Sequence, residues 1–326
     1  MALTELPQSF VSSVANLAFE DSAAINDHFR RNFGQEFPAW FRANCGGRGA
    51  WKDRNIPADG AANFAVTWNN ARQMFDGPAS FFQFACLVSI MINETGGSFT
   101  PISERYGRKG HPGIAYLFDA IAGVKQSYNK APNLPAGRLF NSKDFIAAHG
   151  DLAPAQRLKN TTDPRWDGQA YPQADFPTND RPGETGFIME ADFFKFRGRG
   201  LIQTTWRAAY LKLVKFVQQY GGDDPTIHTF KVVWREMDAD KVATISRNSD
   251  WDDLFQKTNL IVACEAIRQH NSAAGRYLEL AKDAPTLNAA RGVRGTIFNV
   301  GLRVSGNQDY ATLFRNRVLQ LCEAMM

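Results

Sequence analysis

Residues 81–92, FFQFACLVSIMI, place apolar side chains nearly all the way round a helix. Such a segment is satisfied only as a central helix, with the rest of its unit wrapped around it. The turn DGPAS, Asp76 to Ser80, supplies cap and turn residues immediately before it. Immediately after it the chain reads NETGGSF, so the buried run ends on Glu94 and then on the pair Gly96-Gly97. A carboxylate in the last turn meets the negative end of the helix dipole, and an apolar helix gives it little solvent. Both effects favour the protonated form. Stability alone would place Lys or Arg there, whereas a carboxyl that must donate a proton near neutral pH is served by this position. The plain alternative is a solvated helix end.

Glu104 follows ten residues later, past the glycine turn, in SERYGRKG. Arg105, Arg108 and Lys109 beside it favour its ionised form, which suits a general base. An acid and a base whose proton affinities are pushed apart is the recurring pattern of glycoside hydrolysis. Spacing alone does not establish it, because carboxylates ten residues apart are common.

The remainder of the chain is read as mainly α. Residues 1–78 carry helical clusters such as FVSSVANLAF and WNNARQMF, interrupted by CGGRGAWKDRN. In RAAYLKLVKFVQQY the apolar positions 210, 213, 214 and 217 form one helical face, and Gly221-Gly222 end the helix. Further helices are expected at about 254–282 and 307–324, with a small β-hairpin near 187–205. Between about 129 and 187 lie seven of the fifteen prolines, interleaved with Gly, Asn and Asp. That composition marks a long functional loop or a disordered one, and Trp166, Tyr171 and Phe176 favour an ordered, packed loop. The expected organisation is an N-terminal helical region, 1–78, packed on a domain over 79–326 that carries this loop.

Composition narrows the function classes. The 326 residues are 44% hydrophobic and 21% charged, the profile of a globular protein. A net charge of +4 helps approach to an anionic polymer but does not argue for nucleic acid. The apolar run FACLVSIMI is half the length a membrane span needs. The opening MALTELPQSFVSSVANLAFE contains no Lys or Arg and does not read as a secretory leader. Four scattered cysteines form no disulfide framework, and Cys86 and Cys264 read as buried free thiols. There is no CxxC pair and the five histidines do not cluster, so neither a metal nor a cofactor is expected.

A second motif is FFKFRGRGLIQTTWRAAY, residues 193–210. Taken alone, its glycines and arginines suggest a phosphate loop, but the GxGK[ST] signature is absent. Together, NETGGSF and FKFRGRGLIQTT resemble the family 19 glycoside hydrolases, the plant-type chitinases and their phage-endolysin relatives. In that family a helix ends on a Glu-Thr-Thr-Gly-Gly or Glu-Ser-Gly-Gly-Phe segment whose Glu is the general acid, and Glu94 matches it. Endolysin-like members place the second catalytic Glu close to the position of Glu104. The endolysin fingerprint Tyr-Lys-Tyr-Arg-Gly-Arg-Gly-Leu-Ile-Gln-Leu-Thr is followed almost position by position. The segment TIFNVGLRVSG resembles the family's Ile-Asn-Gly-Gly.

This resemblance implies a bilobal, lysozyme-like fold whose cleft carries the two carboxyls about 6.5–9.5 Å apart, leaving room for a water. It implies an inverting mechanism with Glu94 as acid, Glu104 as base and Thr205 holding the attacking water. Gln203 and Asn299 would contact sugar, and Arg199 and Tyr106 are the remaining candidates for substrate contact. Asn93 replaces the motif histidine, Ala209 a sugar-binding Asn, Trp206 a Gly and Thr204 a Leu, and Val300 interrupts Asn-Gly-Gly. The catalytic trio is retained while the sugar-contact positions differ. The expected activity is a muramidase cutting peptidoglycan between N-acetylmuramic acid and N-acetylglucosamine. A chitinase is the alternative reaction, and a non-catalytic glycan-binding module the alternative class. The expected partners are peptidoglycan glycan strands, with an immunity protein or a phage or secretion component for delivery. Synthesis in the cytoplasm, action on the cell wall and a monomeric state complete the expectation.

Overall fold

The central helix is built as its sequence demands. In a computed structural model, which describes residues 6–104, 195–271, 281–282, 295–305 and 307–326, helix α6 spans Phe81–Thr95, and every residue from Phe81 to Ile92 is buried. Gln83 and Ser89 are the polar exceptions: Ser89 Oγ donates to the Ala85 carbonyl at 2.7 Å, and a capping box engages the Gln83 oxygen. That oxygen accepts the Ser80 N–H at 3.0 Å while Ser80 Oγ accepts the Gln83 N–H at 3.2 Å. Two otherwise orphaned backbone donors are thereby satisfied. At the other end Gly96 adopts φ 63°, the left-handed conformation that closes a helix at least cost to glycine.

The described residues are mainly helical, and the chain divides into two compact units. Met1–Pro101 and Ala263–Met326 form the first, and Ile102–Val262 the second. The boundary expected at 78/79 thus falls inside the first unit, because α6 needs its N-terminal neighbours to bury it. Those neighbours are α1 (Gln8–Val14), α2 (Ser22–Phe33), α3 (Phe37–Asn44), a 3-10 turn (Gly49–Trp51), α4 (Gly60–Trp68) and α5 (Ala71–Phe75). A short antiparallel pair joins β1 (Ala18–Phe19) to β2 (Ala79–Ser80) and leads the chain into α6. Phe84 of α6 meets the rings of Phe19, Phe37 and Trp68 at 5.1, 5.1 and 5.0 Å between centroids. Truncating such a fully enclosed ring costs about 3–5 kcal/mol. All four cysteines are free and buried, as anticipated for Cys86 and Cys264.

The second unit contains β3 (Ile102–Ser103), β4 (Arg199–Gly200), α7 (Arg207–Gln219), α8 (Pro225–Trp234), α9 (Ala239–Ile245) and α10 (Asn248–Gln256). Tyr210, Leu213, Val214 and Val217 of α7 are buried, which is the face read from the sequence. Tyr210 packs edge-on against Trp251 with centroids 4.7 Å apart. Of the hairpin expected near 187–205, residues 187–194 lie outside the described residues. β4 joins β3 antiparallel across a long stretch of chain, and a single bridge links Arg199 to Thr204.

The helix expected over 254–282 is broken in its described part. α10 ends at Gln256 and α11 (Ile261–Asn271) begins after a turn in which Asn259 and Leu260 take φ 45° and 69°. Backbone in that region cannot continue a right-handed helix. The C-terminal α12 (Gly295–Ser305) and α13 (Gln308–Glu323) return to the first unit and pack on each other, with α13 also against α6. Among the described residues no helix is long and apolar enough to cross a membrane. The expected loop at 129–187, Tyr106 and the basic residues Arg105, Arg108 and Lys109 lie outside the described residues.

Candidate active site

Glu94 belongs to the first unit, one residue from the end of α6. Its side chain is half-buried, and its Oε1 accepts two hydrogen bonds, from Asn93 Nδ2 at 2.7 Å and from Tyr310 Oη at 3.1 Å. Burial pushes the Glu94 carboxyl above the ordinary carboxylate range. The Asn93 and Tyr310 hydrogen bonds and the Arg54 and Arg317 charges pull the other way without cancelling it. The helix end thus keeps a carboxyl that burial biases toward its protonated form, while the donors and cations around it favour the ionised one. Asn299 lies in the same unit, half-buried on α12.

The glycine turn after α6 is held by contact rather than by composition alone. Gly97 takes φ 81°, and a Cβ there would lie 2.0 Å from the Asn55 carbonyl oxygen. Only glycine lets the two backbone segments approach this closely. Arg54, one residue away, donates from Nε to the Asn93 carbonyl at 3.2 Å.

Glu104 belongs to the second unit and follows β3 directly. Its N–H donates to the Gly198 carbonyl at 2.8 Å, and its Oε2 accepts the Gly198 N–H at 3.2 Å. Gly198 is therefore gripped on both sides by one residue. A Cβ at Gly198 would stand 2.5 Å from Gln203 Oε1 and 3.1 Å from Glu104 Oε2, so the missing side chain is where these two groups converge. Thr205 Oγ1 donates to the Gln203 carbonyl at 2.9 Å, which leaves its lone pairs as acceptors. The structure thus brings Glu104, Gln203 and Thr205 onto the turn formed by the RGRGLIQTT segment.

That turn is conformationally demanding. Gln203 takes φ 54°, and Trp206, where the resembled family carries Gly, takes φ 82°. Bulky residues in this region cost about 1–3 kcal/mol each and persist when their surroundings impose them. Part of the imposition is the exchange of backbone hydrogen bonds between Arg199 and Thr204, at 3.1 and 2.8 Å.

Arg199, expected to contact substrate, is corrected by its environment. Its side chain is fully buried, and it reaches Asp252 Oδ1 from Nε at 2.7 Å, the Lys195 carbonyl and Tyr210 Oη. It braces the turn from inside. Arg197, equally buried, joins it by donating to Asp252 Oδ2 at 3.1 Å, and Ser103 Oγ donates to Asp252 Oδ1 at 2.6 Å. Asp252 on α10 therefore ties β3 to β4 on either side of Glu104. Burial pushes the Asp252 carboxyl up, but the Arg199 and Arg197 charges and the Ser103 hydroxyl outweigh it and hold it below the ordinary range.

Asp252, Tyr310 and Arg317 were not legible as site residues from the sequence. Tyr310, Phe314 and Arg317 do recur at i, i+4 and i+7, so one face of α13 was predictable, but not what its polar ends would meet. Chemically, the first unit holds a carboxyl suited to giving up a proton. The second holds a carboxylate accepting a backbone N–H beside a hydroxyl and an amide. Compared with known proteins, the chain matches no family model, no curated protein and no solved structure.

Proposed function

We propose that the protein is an inverting glycoside hydrolase that cleaves peptidoglycan between N-acetylmuramic acid and N-acetylglucosamine. The observation that carries this reading is the contrast between its two motif carboxyls. Glu94 is pushed toward the protonated state by burial, whereas Glu104 is an acceptor for the Gly198 N–H on a turn that also holds Thr205 and Gln203. In the proposed reaction Glu94 gives its proton to the glycosidic oxygen as the bond to the anomeric carbon breaks. Glu104 takes a proton from the attacking water, whose second hydrogen is accepted by Thr205 Oγ1. The water lone pair is then aimed at the anomeric carbon. The cycle closes when, after the products leave, Glu104 releases its proton to bulk water and Glu94 takes one up from it.

The Leu-Ile-Gln-x-Thr version of the fingerprint and the Glu94-to-Glu104 spacing in the sequence support peptidoglycan over chitin as substrate. Action on the cell wall after delivery by a phage or a secretion system belongs to the same proposal. The test is product chemistry. Purified peptidoglycan and chitin oligomers are digested separately, reduced with borohydride and analysed by mass spectrometry. Muramitol ends are expected, with chitin cut slowly or not at all. Rapid chitin cleavage with intact peptidoglycan would overturn the substrate, and loss of neither polymer would overturn the hydrolase reading.

A further inference from the structure

We propose that Tyr310 and Asn93 are positioning residues that pin Glu94 Oε1 as a hydrogen-bond acceptor and reserve Oε2 for the proton that is transferred. The inference rests on the reading of Glu94 as the acid, and it specifies which oxygen acts.

The orientation of the Asn93 amide decides which oxygen of Glu94 is held. Arg317 Nη1 donates to Asn93 Oδ1. A guanidinium has no acceptor, so the Asn93 oxygen must face Arg317 and its NH2 group must face Glu94. Asn93 Nδ2 then donates to Glu94 Oε1 at 2.7 Å and can do nothing else there. An oxygen that must accept from an amide donor cannot also direct its own proton along that line. Tyr310 Oη occupies the same oxygen at 3.1 Å. Oε1 thus carries two donors and Oε2 carries the proton when the carboxyl is neutral.

The amide is locked in turn. Arg317 Nη2 donates to Asp53 Oδ1 at 2.9 Å and its Nε to the Ala50 carbonyl at 3.0 Å, and the guanidinium lies over the Trp51 ring at 5.0 Å. Trp51 Nε1 donates back to the Arg317 carbonyl at 3.1 Å. These contacts draw on the 3-10 turn, α6 and α13, so the orientation is set by tertiary packing. Among the described residues, the charged and titratable groups facing Glu94 are Arg54 before α4, Arg317 and Tyr310 on α13, and Asp53 behind Arg317. Asn93 joins them from α6 itself. The two donors stabilise the ionised carboxylate and so limit the upward push of burial.

The sign of the expected change follows. Removing a donor to the anion leaves the carboxyl protonated to higher pH, so the basic limb of the kcat/KM profile moves up. For Tyr310→Phe the expected shift is about one pH unit, the worth of a hydrogen bond to a charged group. Asn93→Leu is expected to shift it in the same direction and to lower kcat more than it raises KM. Independently of turnover, glutamate labelled with 13C at the carboxyl reports the Glu94 titration directly, with the Glu94→Gln spectrum assigning the resonance. The expected result is an upward shift of that titration in Tyr310→Phe at unchanged melting temperature. A titration that stays in place or moves down in folded Tyr310→Phe overturns the proposal. Should Asn93→Leu fail to fold, Tyr310→Phe decides alone. A wild-type protein that degrades neither polymer would defeat the hydrolase reading, while the titration would still decide the role of Tyr310.

Discussion

Replacing Asp252 tests whether the Glu104 turn is held from inside. Arg197 and Arg199 have side-chain exposures of 2% and 0%, and Asp252, at 27%, is a shared carboxylate partner of both. Asp252→Ala leaves two guanidinium charges buried without that partner, and loss of one member of a buried pair costs about 3–5 kcal/mol. The partial exposure of Asp252 places the expectation near the lower end, about 3 kcal/mol. Asp252→Asn keeps one acceptor oxygen and is expected to lose less, about 1.5–2 kcal/mol. Amide hydrogen exchange followed by mass spectrometry reads the loss locally. A 3 kcal/mol loss of local stability corresponds to roughly a hundredfold faster exchange, expected in peptides covering 102–104 and 195–205. The acid side carries a sign. Because the folded carboxyl titrates below its ordinary value of 3.8, its contribution is present above that value and is lost as pH falls through the depressed one. The gap between wild type and Asp252→Asn is therefore expected to be full at neutral pH and to close in strong acid. Exchange in both segments within about threefold of wild type for Asp252→Ala, at neutral pH, would refute the reasoning.

Four further outcomes are expected. Glu94→Gln should abolish lysis in a turbidity assay, because an amide cannot protonate the leaving oxygen. The Glu94 contribution to stability is fully present below the ordinary value of 4.5 and lost as pH rises through the raised one, so the same variant should melt higher than wild type at about pH 8 and gain nothing at about pH 4. Gly198→Ala puts a methyl group 2.5 Å from Gln203 Oε1 and 3.1 Å from Glu104 Oε2, so lytic activity should fall more than about tenfold, read against a melting curve to separate displacement from unfolding. Gly97→Ala should cost about 3 kcal/mol or more in urea unfolding, since its Cβ meets the Asn55 backbone at 2.0 Å in a left-handed conformation.

Local sequence determines much of this protein. The all-apolar run at 81–92, the Ser80 cap with Gln83 and the Gly96 stop define α6 because each signal acts within one or two helical turns. The same holds for the 210, 213, 214, 217 face of α7, and for Glu94 ending a buried helix, where burial is what a solid apolar run implies. What the sequence could not show is where long-range partners fall. The helix expected over 254–282 breaks at Asn259 and Leu260, a turn that no glycine or proline announces. Strand β4 pairs with β3 across roughly a hundred residues, a choice made by loop closure and side-chain fit rather than by local propensity. Arg199 read as a cleft residue and became an interior brace because Asp252 and Tyr210 arrive from other helices. Tyr310 reaches Glu94 across 216 positions of sequence. Helix formation is decided among neighbours in the chain, but which oxygen a donor reaches is decided only when distant elements pack.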